Sequence, residues 1–210
     1  MRRAENVQRP NVGFTLVEIM VVTALFTALM AAVLASLLAG RSSYASADAY
    51  IQVQQEARRA FDSMVRELRE GGNVNGSASI AAPGVQRLDL QISRGYDATA
   101  CGGICWGTES ATFPNGWVHY VLDTTDPQRP RFMRCVTANR LDPMPANFAG
   151  CRVLANSVSS GLASTAFTYD HANRMVTIKL HTSLTSKQLP GGSMQIAPTP
   201  LTTRVRLRNT

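Results

Sequence analysis

The chain has 210 residues, a formal charge of +7 and an apolar fraction of 45%. That composition excludes a disordered or collagen-like chain, and the length allows one membrane element plus one globular domain. Arg2, Arg3 and Arg9 against Glu5 place part of the charge ahead of Phe14. The rest of the chain then has a modest basic excess, which alone does not select nucleic acid as a partner.

The first predicted element is the apolar run 14–39, in which Glu18 is the only charged residue. A helix rises about 1.5 Å per residue and the hydrocarbon core is about 30 Å thick, so the run is long enough to cross a bilayer. The positive-inside bias places Arg2, Arg3 and Arg9 in the cytoplasm and everything after Gly40 outside it. A cleaved secretory signal is the competing reading, with "SLLAG" at 36–40 imitating its cleavage site. Glu18 argues against it, because a carboxylate at membrane depth is costly and calls for a partner or a function. A chain cut between Gly13 and Phe14 would create a suitable cation: the new amine of one subunit could pair with Glu18 of its neighbour, cancelling two charges that are each expensive in lipid.

The run "GFTLVEIMVVTALFTALMAAV" behind a short basic leader resembles the class III signal of type IV pilins and pseudopilins, with Gly13, Phe14, Thr15, Leu16, Val17 and Glu18 in unbroken order. The resemblance implies cleavage after Gly13 by a prepilin peptidase that also N-methylates Phe14. It implies that Glu18 is an assembly contact, that the partners are other major and minor pilins and an inner-membrane assembly platform, and that the subunit performs no reaction and needs no cofactor. The mature chain would sit in the bacterial inner membrane and then in a fibre or at its tip.

Residues 44–69 contain neither proline nor glycine. Tyr44, Ala47, Ile51, Gln54, Ala57, Phe61, Met64, Val65 and Leu68 recur near a 3.6-residue period, opposite a face bearing Glu56, Arg58, Arg59, Asp62, Arg66, Glu67 and Glu70. The spacing predicts one helix continuing to the glycines at 71–72, about 85 Å long at the standard rise. Its membrane half is apolar all round and its outer half is amphipathic. Many relatives in the resembled family have a proline roughly twenty residues into the mature chain; here none occurs between Pro10 and Pro83, and Ser36 and Gly40 are the weakest helix formers.

Beyond residue 72, "NVNGSASIAAPG" reads as a loop. Alternating patterns predict strands at 85–93, 116–123, 131–137, 164–170, 175–182 and 202–208, with "DHAN" at 170–173 as a hairpin turn. The expected fold is α+β: a cytoplasmic leader 1–13, a transmembrane helix 14–40, its amphipathic continuation 41–70, and an extracytoplasmic domain 71–210 whose antiparallel sheet packs on the helix. The stretches "ARRAFDSMVRELREGG", "WVHYVLD", "RFMRCV", "LANSVSSGLASTAFTYD" and "TTRVRLRN" are similar to PilW-type minor pilins, and more weakly to J-type minor pseudopilins of type II secretion. A membrane-anchored extracytoplasmic enzyme or binding domain is the remaining alternative; it predicts an uncleaved leader and an indifferent Glu18.

Cys101, Cys105, Cys135 and Cys151 all follow the membrane run, and an even count outside the cytoplasm favours disulfides. Four cysteines allow three pairings. Cys101–Cys105 with Cys135–Cys151 is preferred, because Gly102 and Gly103 permit a tight loop and the second bridge would staple "ANRLDPMPANFAG" to a strand. A zinc site built from all four thiolates is the rival, although the spacing departs from a zinc ribbon's. His119, His171 and His181 lack the company of a nucleophile elbow or an HExxH pair and read as ordinary sheet and turn residues. Arg129, Arg131, Arg134, Arg140 and Arg152 cluster in sequence, and Arg204, Arg206 and Arg208 share one strand face. They read either as a solvated face with edge protection, or as a patch for DNA phosphates centred on Arg131, Arg134, Arg204, Arg206 and Arg208, with Trp106 and Trp117 for stacking.

Overall fold

The structure, a computed structural model, describes residues 13–74, 77–78, 80–84, 86–126, 130–156, 158–159, 166–184 and 196–207. The leader arginines, Arg129 and Arg208 lie outside these residues. The chain divides into two compact units, one up to Ala45 and one from Ser46 onward.

The helix α1 (Leu16–Glu70) runs through both units. Glu18 in its first turn and Arg69 in its last have the signs that complement the helix dipole. It stops at the double glycine: the Gly71 N–H donates to the carbonyls of Glu67 and Leu68, each at 3.1 Å, and Gly71 then bridges to Ile92. In the first unit the large apolar side chains of α1 are all exposed, from Leu16 to Leu38. In the second unit burial starts later than the periodicity predicts. Ala57, Ala60, Phe61, Met64 and Leu68 are buried, whereas Ile51 is 51% exposed. Tyr44, in the first unit, is 80% exposed. The stripe was legible, but only its last three turns are covered by the domain.

The strands that follow are β1 (Asn73–Val74), β2 (Ser77–Ala78), β3 (Ile80–Gly84), β4 (Arg87–Leu90), β5 (Ile92–Asp97), β6 (Gly103–Gly107), β7 (Trp117–Asp123), β8 (Arg131–Thr137), β9 (Arg152–Asn156), β10 (Val158–Ser159), β11 (Phe167–Asp170), β12 (Met175–Leu184) and β13 (Ile196–Arg206). A single sheet was expected. Instead the larger strands form a five-stranded sheet, β3-β4-β7-β8-β9, and a four-stranded sheet in which β12 pairs with β13 on one side and with β11 and β10 on the other. All these pairings are antiparallel. β1–β2 and β5–β6 are separate two-stranded ribbons. The stretch read as a loop therefore contains β1, β2 and β3, and the predicted strand 85–93 is two strands. Gln91 separates them; its side-chain amide donates to the carbonyls of Asn115 and Gly116, and the chain leaves the large sheet there to build the β5–β6 hairpin.

One apolar core joins α1 to both sheets. Leu88, Leu90, Val118, Tyr120, Leu122 and Phe132 come from the five-stranded sheet, and Phe167, Val176, Ile178, Leu180 and Val205 from the four-stranded one. Phe132 stacks on Tyr120 with ring centroids 5.8 Å apart and meets Phe167 at 6.1 Å, so aromatic rings connect the two sheets. The β11–β12 hairpin closes at 170–173 because Asp170 Oδ1 accepts the N–H groups of Ala172 and Asn173 at 3.0 and 3.1 Å.

Met64→Ala or Leu68→Ala is expected to lower the unfolding free energy of the full chain in detergent by about 2–5 kcal/mol, and Ile51→Ala by less than about 1 kcal/mol. Urea unfolding followed by tryptophan fluorescence would measure both.

Candidate functional site

The residues singled out from the sequence fall into separate places. Gly13 and Phe14 precede α1 and are exposed. Thr15 is the residue before the first helical turn, and Glu18 lies three residues on. The Glu18 N–H donates to Thr15 Oγ1 at 3.2 Å, and the Thr15 N–H donates to Glu18 Oε2 at 3.4 Å. This reciprocal pair is a capping box, which satisfies two N–H groups that a helix start otherwise leaves open. Sequence reasoning treated Glu18 as a carboxylate in need of a distant cation and missed this local partner; the Thr-x-x-Glu spacing was the signal for it. The hydroxyls of Thr23 and Thr27 are also satisfied locally. Thr23 Oγ1 donates to the carbonyls of Ile19 and Met20, and Thr27 Oγ1 to that of Ala24. By length and composition, α1 is the one helix among the described residues that could cross a membrane.

The five-stranded sheet has two chemically different faces. Leu88, Tyr120, Arg134 and Arg152 form one cross-strand row, on the side of α1. Glu67 of α1 accepts the Tyr120 hydroxyl at 2.8 Å and Arg134 Nε at 3.1 Å through the same oxygen, while Arg134 Nη2 reaches Glu109 at 2.7 Å. Burial first, and Glu67 second, push the Tyr120 phenol well above its ordinary range, so it remains a donor. Burial works to lower the Arg134 guanidinium, but Glu67 and then Glu109 raise it on balance.

On the opposite face, Asp89, His119 and Cys135 form the next row. Asp89 Oδ1 lies 2.6 Å from Arg87 Nε and 2.7 Å from His119 Nδ1. Thr137 Oγ1 lies 2.7 Å from both His119 Nε2 and the Asn139 carbonyl, and Arg87 also donates to the Arg140 carbonyl. The loop carrying Asn139 and Arg140 covers this row. It is closed by the Cys135–Cys151 disulfide, and the Arg140 guanidinium sits 5.8 Å from the Trp117 ring centroid. The second disulfide, Cys101–Cys105, joins residues at the end of the β5–β6 hairpin, with Gly102 and Gly103 at positive φ where the turn requires it. All four thiols are thus in disulfides, and no group of three or more metal-ligating side chains occurs among the described residues.

The arginines do not form the single patch drawn from sequence. Arg131 is held by Asp123 at 2.6 Å, and Arg134 by Glu67 of α1 and by Glu109 in the loop after β6, so both are paired with acids. Arg204 and Arg206 are exposed on β13, in the other sheet, in register with Thr177 and Met175. Trp106 lies on β6 and Trp117 on β7, in different sheets. His171, in the 170–173 turn, packs at a 59° tilt against the Tyr169 ring with centroids 4.2 Å apart, and His181 is half-buried on β12. Only His119 belongs to a buried ionic network, which the sequence did not reveal because Asp89 is thirty residues away.

No protein-family model, no curated protein and no solved structure matches the chain.

Asp89→Ala would leave Arg87 and His119 without their shared carboxylate and is expected to destabilise the chain by about 3–5 kcal/mol in urea unfolding. Asp123 sets an acid dependence. Burial opposes its ionisation, but the Thr125 hydroxyl and N–H and the Arg131 guanidinium hold its carboxyl below the usual range. Its contribution is therefore complete above the unfolded carboxylate value of about 3.9 and fades as pH falls through the lower folded value. Unfolding midpoints should drop below about pH 4, and Asp123→Asn should flatten that slope.

Proposed function

We propose that this chain is a minor pilin of a type IV pilus, a structural subunit that primes or caps the fibre. What supports the reading is the unbroken order Gly13-Phe14-Thr15-Leu16-Val17-Glu18 behind a short basic leader, at the start of a helix whose apolar side chains are exposed from Leu16 to Leu38. A helix apolar all round is stable only in lipid or among other such helices, and a subunit that moves from a bilayer into a fibre exchanges one for the other.

In this reading Arg2, Arg3 and Arg9 stay in the cytoplasm, a prepilin peptidase cuts between Gly13 and Phe14, and the new Phe14 amine is methylated. The cut spares the Thr15 N–H, so the capping box persists in the mature chain. Glu18 Oε2 is used in that box; Oε1 has no hydrogen-bond partner among the described residues and is available to the amine of a neighbouring subunit. The incoming subunit is thereby placed in register as its helix leaves the membrane, and two lipid-exposed charges are neutralised together. The same chemistry serves a type II secretion pseudopilus, and the neighbouring genes would separate the two settings.

Mass spectrometry of the native chain should find an amino terminus at Phe14 carrying one methyl group; a chain that keeps its first thirteen residues would refute the proposal. Glu18→Ala should still be inserted and processed but should fall about a hundredfold or more in isolated fibres, the equivalent of the roughly 3–5 kcal/mol lost when one partner of a buried ion pair is removed.

A further inference from the structure

The geometry points to a second contact surface: a groove between α1 and the edge strand β9 that receives an extended segment of another protein chain bearing side-chain carboxylates. The groove measures about 360 Å³ and is lined by Glu56, Arg59 and Ser63 of α1 and by Arg152, Val153 and Asn156 of β9. All of them belong to the unit that begins at Ser46, so the site does not depend on fibre entry.

Three observations converge on it. First, among the described residues β9 ends the five-stranded sheet and pairs only with β8, which leaves its other edge without a strand partner there. That edge is already partnered by a carboxylate once: the Asn156 N–H donates to Glu56 Oε2 at 3.3 Å.

Second, Arg152 stands directly opposite Arg134 across β8–β9. Arg134 is neutralised there by Glu67 and Glu109, and neither acid is paired with Arg152. Arg152 and Arg59 are exposed and make no ion pair or hydrogen bond among the described residues. A carboxylate laid in the groove would meet the Arg59 and Arg152 guanidinium groups that line it.

Third, Ser63 and Val153 both line the groove, Ser63 half-buried and Val153 39% exposed. A strand added to β9 would alternate its side chains, sending one set into the groove toward Arg59 and Arg152 and the other to solvent. The open backbone edge favours a polypeptide over a nucleic acid.

The test uses the full chain in detergent micelles and a fluorescein-labelled heptapeptide of alternating valine and glutamate, read by anisotropy. Companion peptides carry glutamine in place of glutamate, lysine in place of glutamate, or N-methylated central amides. The glutamate peptide should bind, and the glutamine and N-methylated peptides should bind about tenfold more weakly or less. Arg59→Ala and Arg152→Ala should each weaken binding severalfold, Arg152→Glu should shift preference toward the lysine peptide, and Arg204→Ala, on the other sheet, should change nothing. Hydrogen exchange at β9 should slow when the glutamate peptide is bound. Absence of binding, equal affinity for the glutamine or N-methylated peptide, or an equal loss in Arg204→Ala would overturn the inference.

Discussion

The Glu67 carboxylate, held between Tyr120 and Arg134, fixes where α1 lies on the five-stranded sheet. The apolar face Ala57, Ala60, Phe61, Met64 and Leu68 supplies the burial, but apolar packing alone tolerates sliding and rotation. A carboxylate oxygen shared by a phenol and a guanidinium does not, because displacement would leave polar groups unpaired in a half-buried site. The small residues Ala57 and Ala60 let the helix lie close to the sheets. Glu67 then sets the register, and the position of Tyr120 sets the Phe132–Phe167 contact between the two sheets.

The other face of the same sheet solves a different problem. Asp89 and His119 are fully buried, which is expensive for ionisable groups unless they are paired. The pairing comes from Arg87 and Thr137, and the cover comes from the loop closed by Cys135–Cys151. One oxygen, Asp89 Oδ2, has no hydrogen-bond partner among the described residues. The disulfide thus acts through a surface as well as through chain entropy: it keeps a lid of backbone carbonyls, those of Asn139 and Arg140, over a row of charge that water would otherwise reach.

Much of this was legible in the sequence where the signal is local. The helix ends at the double glycine, the hairpin turns at Asp170, and strands form at 117–123 and 131–137 where their β-forming residues concentrate. What escaped is non-local or masked by composition. "NVNGSASIAAPG" has loop chemistry, yet parts of it pair as β1, β2 and β3, where partner strands outweigh weak propensity. The departure of the chain from the five-stranded sheet into the β5–β6 hairpin occurs at Gln91, which donates to the carbonyls of residues 115 and 116. Arg131 and Arg134 looked like part of a basic patch because their acids, Asp123, Glu67 and Glu109, are brought in by folding. The capping box is local and is written in the Thr15-x-x-Glu18 spacing, inside a run whose apolar composition otherwise signals only the cost of a carboxylate in lipid.

β12 has a property with consequences for how the protein opens. Its ten residues carry β13 along one edge and, along the other, β11 at 167–170 followed by β10 at 158–159. Each neighbour is anchored mainly through this one strand, so none can fray far without loosening the ladder it shares. The four-stranded sheet should therefore behave as a single foldon, its amides exchanging together instead of peeling strand by strand. A chain built this way resists partial melting under tension until the shared strand itself gives way.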